Sequence, residues 1–220
     1  LSDMPDGRVV PVIIDTSEGG YTPPDFLGKD SSMDRFFEAW RNVRIFADSA
    51  QSVCDSMFYA GSDSVFRLYR DPVLWSSESQ ITADTIYLFT KNQKFDRLQA
   101  FFNGFIINKV GNNQFNQVRG NTVNAWFVEG NIDYVRAKGM AETVYFALDE
   151  EDKFVGMNRA TSDAIDMFFE ERKAKKVKFI NDLKGVTYPI RQIPAGEDQL
   201  KGFEWKESRR PKTKFEMFGL

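Results

Sequence analysis

Residues 84–88, Asp84-Thr-Ile-Tyr-Leu, set one small polar residue ahead of an alternation of apolar and variable side chains. The same arrangement stands at Asp55-Ser-Met-Phe-Tyr, at Asn121-Thr-Val-Asn-Ala and at Asp163-Ala-Ile-Asp-Met. Beyond a turn, each is followed by a segment in which an apolar residue sits beside a basic one: Arg67-Leu68, Arg97-Leu98, Val135-Arg136 and Val177-Lys178. A third segment follows around 72–75, 104–107, 142–146 and 185–188. The starts lie roughly 29, 37 and 42 residues apart, as in an internal repeat whose hairpin tips vary in length. The segments are rich in Val, Ile, Phe, Tyr and Thr, and turn chemistry separates them at Ala60-Gly-Ser-Asp, Lys91-Asn-Gln-Lys, Gly111-Asn-Asn, Glu129-Gly-Asn and Asp149-Glu-Glu-Asp. That pattern predicts an all-β chain of many short antiparallel strands.

Side chains of a strand point alternately to opposite sides. With the polar start as register, Met57, Tyr59, Ile86, Leu88, Val123, Ala125, Phe127, Ile165 and Met167 share one face. Leu68, Leu98, Ala100, Val135, Ala137, Val177 and Phe179 form the matching face of the second strands, and Phe105, Ile107, Val144, Phe146 and Val186 are read as continuing it. Asn124, Asp166, Arg97, Arg136, Lys176 and Lys178 fall on the opposite, wet face. Two such sheets close into a filled sandwich or stay partly open as a rolled, V-shaped solenoid. Periodicity does not separate these outcomes. A closed interior is a core, whereas an open one is a groove for a long apolar ligand.

Around this repeat region, 33–189, the sequence changes character. Residues 1–32 carry Pro5, Pro11, Pro23, Pro24, Gly7, Gly19 and Gly20 and read as an extended arm, strand-like only near 9–14. Residues 190–220 read as a charged tail, with Phe203, Trp205, Phe215 and Phe218 spaced through it, that packs on or extends the domain. Residues 34–40 place Phe36, Phe37 and Trp40 at helical spacing, and 170–178 are rich in helix formers. The repeat assigns both to strand and turn. Residues 37–46 read as the closing half of an earlier unit, which leaves open a longer array.

With 42% hydrophobic residues, 21 Phe and a net charge of −3, the chain has ample apolar material for a core and no excess charge suggestive of nucleic acid. It contains no His, which excludes His-based triads and His-ligated metal within the chain. Cys54 is the only cysteine and reads as a small buried apolar side chain. The acidic tip Asp149-Glu-Glu-Asp lacks calcium-loop spacing. No metal, cofactor or catalytic residue is assigned. No apolar run reaches the roughly 18 residues of a membrane span. The polar opening Leu1-Ser-Asp-Met-Pro-Asp carries no signal peptide and does not argue for the cytoplasm.

The runs Asn42-Val-Arg-Ile-Phe-Ala-Asp-Ser, Gln80-Ile-Thr-Ala-Asp-Thr-Ile-Tyr-Leu, Val118-Arg-Gly-Asn-Thr-Val and Gly130-Asn-Ile-Asp-Tyr-Val-Arg-Ala-Lys-Gly resemble the OstA-like (organic solvent tolerance) proteins of lipopolysaccharide transport. Tyr188-Pro-Ile-Arg-Gln and Arg209-Arg-Pro-Lys bring the pattern closest to their Bacteroidetes-type branch. The resemblance spans about residues 36–215 and implies a β-jelly-roll, or β-taco, in the periplasm of a Gram-negative bacterium. It further implies an apolar interior that holds lipid A acyl chains, a part in outer-membrane biogenesis, modules joined by edge-strand addition, head-to-tail self-association as one form of that joining, and no catalysis. On this reading Met57, Ile86, Leu88, Leu98, Val123, Phe127, Val135, Ile165, Met167, Val177 and Phe179 line the lipid groove. Lys176, Lys178, Arg209 and Arg210, within the clusters Lys173–Lys178 and Arg209–Lys214, are the cations for the headgroup. The rival reading is a structural or adhesive envelope β-sandwich with a filled core and no lipid site. A hydrolase is a weaker third.

Overall fold

The computed structural model describes residues 11–13, 36–47, 50–92, 94–171 and 173–213, with backbone alone at 11–13 and 173. The expected arm therefore lies outside the described residues except for Pro11–Ile13, and so do Phe215 and Phe218 of the tail. The strands are β1 (Pro11–Ile13), β2 (Phe36–Phe46), β3 (Gln51–Ala60), β4 (Val65–Tyr69), β5 (Val73–Ser76), β6 (Ser79–Thr82), β7 (Thr85–Lys91), β8 (Lys94–Lys109), β9 (Phe115–Val128), β10 (Asn131–Leu148), β11 (Phe154–Glu170), β12 (Lys173–Ile180) and β13 (Lys184–Pro189). Among the described residues they form one 13-stranded sheet, antiparallel except where β1 runs parallel to β2. Residues 36–40 and 173–178 are strand. The helical spacing of the first and the helix-forming composition of the second are overridden by pairing with β3 and β11.

The long strands do not stay in one layer. The sheet bends along a spine marked by pairs of left-handed residues: Arg41 and Asn42, Arg70 and Asp71, Phe102 and Asn103, Gly139 and Met140, Asn181 and Asp182. A side chain in that conformation costs about 1–2 kcal/mol, and Gly, Asn and Asp bear it best. Each pair contains at least one of them. The polar starts of the sequence repeat sit at these corners. The amides of Asp55, Asp84 and Asp163 donate to the carbonyls of Arg70, Phe102 and Asn181, and Asn121 lies against Gly139. Across the spine Gly104 pairs with Gly120. A Cβ on Gly120 would come within 2.9 Å of the Lys138 carbonyl oxygen, so a side chain there would force the corner open.

Bending yields two layers. The first holds β4, β7 and β12 with 36–40, 56–60, 94–101, 122–128, 131–138 and 162–170. The second holds β1, β5, β6 and β13 with 43–46, 51–54, 104–109, 115–120, 141–148 and 154–161. Their facing side chains form one apolar cluster. Cross-strand register sorts the first layer's contribution into rows. One row runs Ala39, Met57, Leu68, Ile86, Ala100, Val123, Ala137, Ile165, Phe179. Its neighbour runs Tyr59, Phe66, Leu88, Leu98, Ala125, Val135, Met167, Val177. The second layer answers with Ile45, Ser52, Leu74, Ile81, Ile106, Val118, Thr143 and Ala160.

One sequence expectation is corrected here. Phe105, Ile107, Val144 and Phe146 do not continue the interior face. They lie on the outer side of the second layer in a separate cluster with Met157 and Leu200, and Val186, exposed, shares that side. The reason is that residues 190–213 cross this outer side, so the second layer is covered on both faces from β5 to β10. A strand buried on both faces reads as a continuous apolar run such as Phe105-Ile-Ile, without alternation.

Candidate functional site

All the proposed groove residues enter the interior cluster or pack against it. Met57, Ile86, Val123, Ile165 and Phe179 share the first row, and Leu88, Leu98, Val135, Met167 and Val177 the second; Phe127 pairs with Ile132 one step further out. The interior is closed in this structure. Ile86, Leu98, Val123, Val135 and Ile165 are 0% exposed. Cys54 is buried beside them, and that burial pushes its thiol up to about 12, so it is inert as a nucleophile.

The chemistry changes at the end of the interior away from the spine. One step beyond the row Leu74–Ile81–Ile106–Val118 lies a row of Ser76, Ser79, Asn108 and Asn116, all buried. Above it the layers are clasped. Ser76 Oγ donates to the Gly130 carbonyl at 2.7 Å, Ser77 Oγ to Asn131 Oδ1 at 2.8 Å, and Tyr145 OH to the Ala174 carbonyl at 3.0 Å. Desolvation raises the Tyr145 phenol above its usual value, which keeps it a donor. A cleft of about 230 Å³ opens there, with Ile132, Tyr145, Phe169 and Ala174 of the interior cluster in its wall. A wider hollow of about 610 Å³ follows the outside of the spine at Trp40, Tyr69, Arg70, Asp71 and Asp84 and touches no residue of the interior cluster.

The four headgroup cations are dispersed over the outside. Lys176 stands over the Phe168 ring, and the charge of Lys178 acts on Asp166; both are on the outer side of the first layer. Arg209 pairs with Asp71 near the spine. Arg210 Nε donates to Gln51 Oε1 at 2.8 Å and its Nη1 to the Ser77 carbonyl at 3.1 Å, which places it at the rim.

Asp166 is buried on that outer side. Arg136 donates to both its oxygens at 2.6 Å and Tyr134 OH to one at 2.9 Å. The Arg136 hydrogen bonds, with the Tyr134 hydroxyl and the charges of Arg136 and Lys178, hold the carboxyl below its ordinary 3.8 against burial. A depressed folded value contributes stability that is complete above the unfolded value and is lost as pH falls through the folded one. Arg136 is about a third exposed, so solvent trims the pair, and Asp166→Asn is expected to cost about 2 kcal/mol at neutral pH. Thermal melts from about pH 6 down to about pH 2 should show the wild type losing that advantage in acid. Parallel curves for the two proteins would refute it.

Sequence reasoning missed a line of polar hooks. On the outer side of the second layer one row runs Gln51, Trp75, Gln80, Ile107, Gln117, Val144, Arg159. Gln80, Gln117 and Arg159 hold the main chain of 190–213, and Gln51 accepts from the Arg210 side chain. Gln117 Nε2 donates to the Asp198 carbonyl at 2.7 Å and its Oε1 accepts from Leu200 N at 2.8 Å. Gln80 Nε2 donates to the Glu204 carbonyl at 2.8 Å and its Oε1 accepts from Lys206 N at 2.6 Å. Arg159 donates to the carbonyls of Glu197 and Gln199 at 2.9 Å. The segment is a strap. The available signal was an amide every second strand at one register position.

Interior rows and corner residues together make an all-β roll of antiparallel strands, consistent with the LptA-like jelly-roll fold. A solved structure shares it: LptH, the LptA-homologous periplasmic component of the lipopolysaccharide transport device from Pseudomonas aeruginosa, matches with a TM-score of 0.50 over 64% of this chain and 95% of that one, at 14% identity. No family model matches the chain, and no curated protein does. At this identity the likeness is one of fold.

Proposed function

We propose that the chain is a periplasmic lipopolysaccharide carrier that holds lipid A acyl chains between its two layers and passes them towards the outer membrane. The observation that carries this reading is the pair of interior rows. They cross the domain to β12, the first from β2 and the second from β3, with one nonpolar or aromatic residue per strand, under a mouth whose lining turns polar. Each acyl CH₂ moved into such an interior gains about 0.8 kcal/mol. A carrier needs no cofactor and no enzymatic group, and the fold shared with LptH supports the reading. For the lipid phosphates, Lys176 and Lys178 on β12 are the first contacts; Arg209 is committed to Asp71, and Arg210 at the rim to Glu207, Gln51 and the Ser77 carbonyl. The partners are further OstA-like modules, or head-to-tail copies of this chain, added at the edges of β2 (36–40) and β12, which carry no further strand among the described residues. The lysines of β12 discourage adventitious pairing there.

The closed interior favours the second reading, an envelope β-sandwich with a filled core. The two separate experimentally, because a carrier must part its layers and therefore break the clasps. Incubated with lipopolysaccharide micelles and examined by native mass spectrometry, the wild type is expected to retain lipid. A triple variant, Ser76→Ala, Ser77→Ala and Tyr145→Phe, loses three cross-layer hydrogen bonds of about 1 kcal/mol each and should load about tenfold faster or more. Two folded proteins that both remain lipid-free would establish the sandwich instead.

A further inference from the structure

The row at the mouth is incompletely satisfied, and the gap has a chemical sign. Asn116 Oδ1 accepts from the Phe146 amide, and Ser76 Oγ donates across the mouth. Asn108 Nδ2 donates to Ser79 Oγ at 3.0 Å and to the Glu78 carbonyl at 3.5 Å. A carbonyl only accepts, so the amide nitrogen is fixed on that side and Oδ1 is turned the other way. Asn108 Oδ1 is buried without a partner in a residue 7% exposed. The other buried unpartnered atoms among the described residues, Trp75 Nε1 and Glu207 Oε2, belong to residues outside the mouth cleft, whereas Asn108 lines it. Buried acceptors are normally satisfied. This one stands where the interior lining passes from Ile81 and Ile106 to Ser79 and Asn108.

We propose that Asn108 reads the junction of a bound amphiphile: its Oδ1 accepts a hydrogen bond from a hydroxyl or amide N–H placed where an acyl chain meets its headgroup. The chain itself passes Ile132 and Phe169 into the interior. At about 230 Å³ the cleft has room for about seven groups of water or methylene size. That is the head end of one chain and not a whole lipid. The inference rests on the carrier reading and adds to it a preference for chains that bear a donor near the head. An ordered water is the competing occupant of the same acceptor.

The test is isothermal titration of the purified chain with methyl β-hydroxymyristate and methyl myristate, neutral probes that differ by one hydroxyl, delivered from cyclodextrin. The wild type is expected to bind the hydroxy ester about fivefold more tightly, the weight of one hydrogen bond. Asn108→Leu should erase the difference while still binding both esters, and Asn108→Asp, which keeps an acceptor, should retain it. Using the ratio of two ligands on one protein removes any general loss of stability from the comparison. Equal affinity of the wild type for both esters would overturn the inference, assign the acceptor to water and leave the carrier reading standing. Binding of neither ester would overturn both.

Discussion

Replacing Ile86 with aspartate is expected to unfold the roll, not to empty a groove. Ile86 is 0% exposed and lies mid-row, flanked by Leu68 and Ala100 on the adjacent strands. The facing layer's contribution to the cluster, such as Leu74, Ile81 and Ile106, is aliphatic. A carboxylate there has no donor to receive it. It either stays charged in an apolar interior or takes a proton at the cost of a large pKa rise. Together with the lost burial of the isoleucine, about 2 kcal/mol, the change costs on the order of 5 kcal/mol or more. That is comparable with the whole stability of a typical domain, about 5–15 kcal/mol. Urea titration followed by circular dichroism should show the native baseline shortened or absent, and Val123→Asp should behave alike. An Ile86→Asp protein that melts with the wild type would mean that water reaches the rows, and the layers would then have to stand apart in solution. The consequence for function is direct: lost lipid binding in such a variant says nothing about a groove. Binding is better probed with volume-conserving changes such as Leu98→Met, which cores tolerate at under about 1.5 kcal/mol.

The first layer was legible because it is buried on one side only. There the alternation of Asp84-Thr-Ile-Tyr-Leu survives, and counting by two from each polar start places Ile86, Val123 and Ile165 in the row they occupy. The second layer was not legible, because the strap makes its outer side apolar too. In Phe105-Ile-Ile all three residues are buried, Ile106 inward and its neighbours outward. Hydropathy measures burial and carries no sign for the side. The surroundings of the headgroup cations were not legible for a different reason. A lysine or arginine in a sequence shows its charge but not its partner, and Arg209 was already answered by Asp71 across 138 residues. The corners left a signal that went unused: Asn42, Asn103 and Gly139 interrupt strands in residues suited to left-handed backbone. Each stands where a long strand changes layer.

Cutting the hooks should release the strap while the roll stays folded. In a Gln80→Ala, Gln117→Ala variant, four hydrogen bonds of 2.6–2.8 Å to the main chain of residues 198–206 are lost. The strap groups left behind, including the Leu200 amide, are then without protein partners. At about 1–3 kcal/mol for each buried group so exposed, the expected loss is on the order of 5 kcal/mol. The two hooks are separated by the strand carrying Ile107, about 9–10 Å, so their effects should add. The loss is local, because the interior rows make no use of either glutamine. Limited proteolysis should therefore trim residues 190–213 from the variant and not from the wild type, and hydrogen exchange should leave the row strands protected. An environment-sensitive dye should report Phe105, Ile107, Val144 and Phe146 newly uncovered. If the double variant resists the protease as the wild type does, Leu200, Phe203 and Trp205 hold the segment by packing alone. The physical point is one of access. With the strap seated, the second layer's outer face is withdrawn from solvent from β5 to β10, so the proposed carrier has its strand edges left for a partner and its mouth for a lipid.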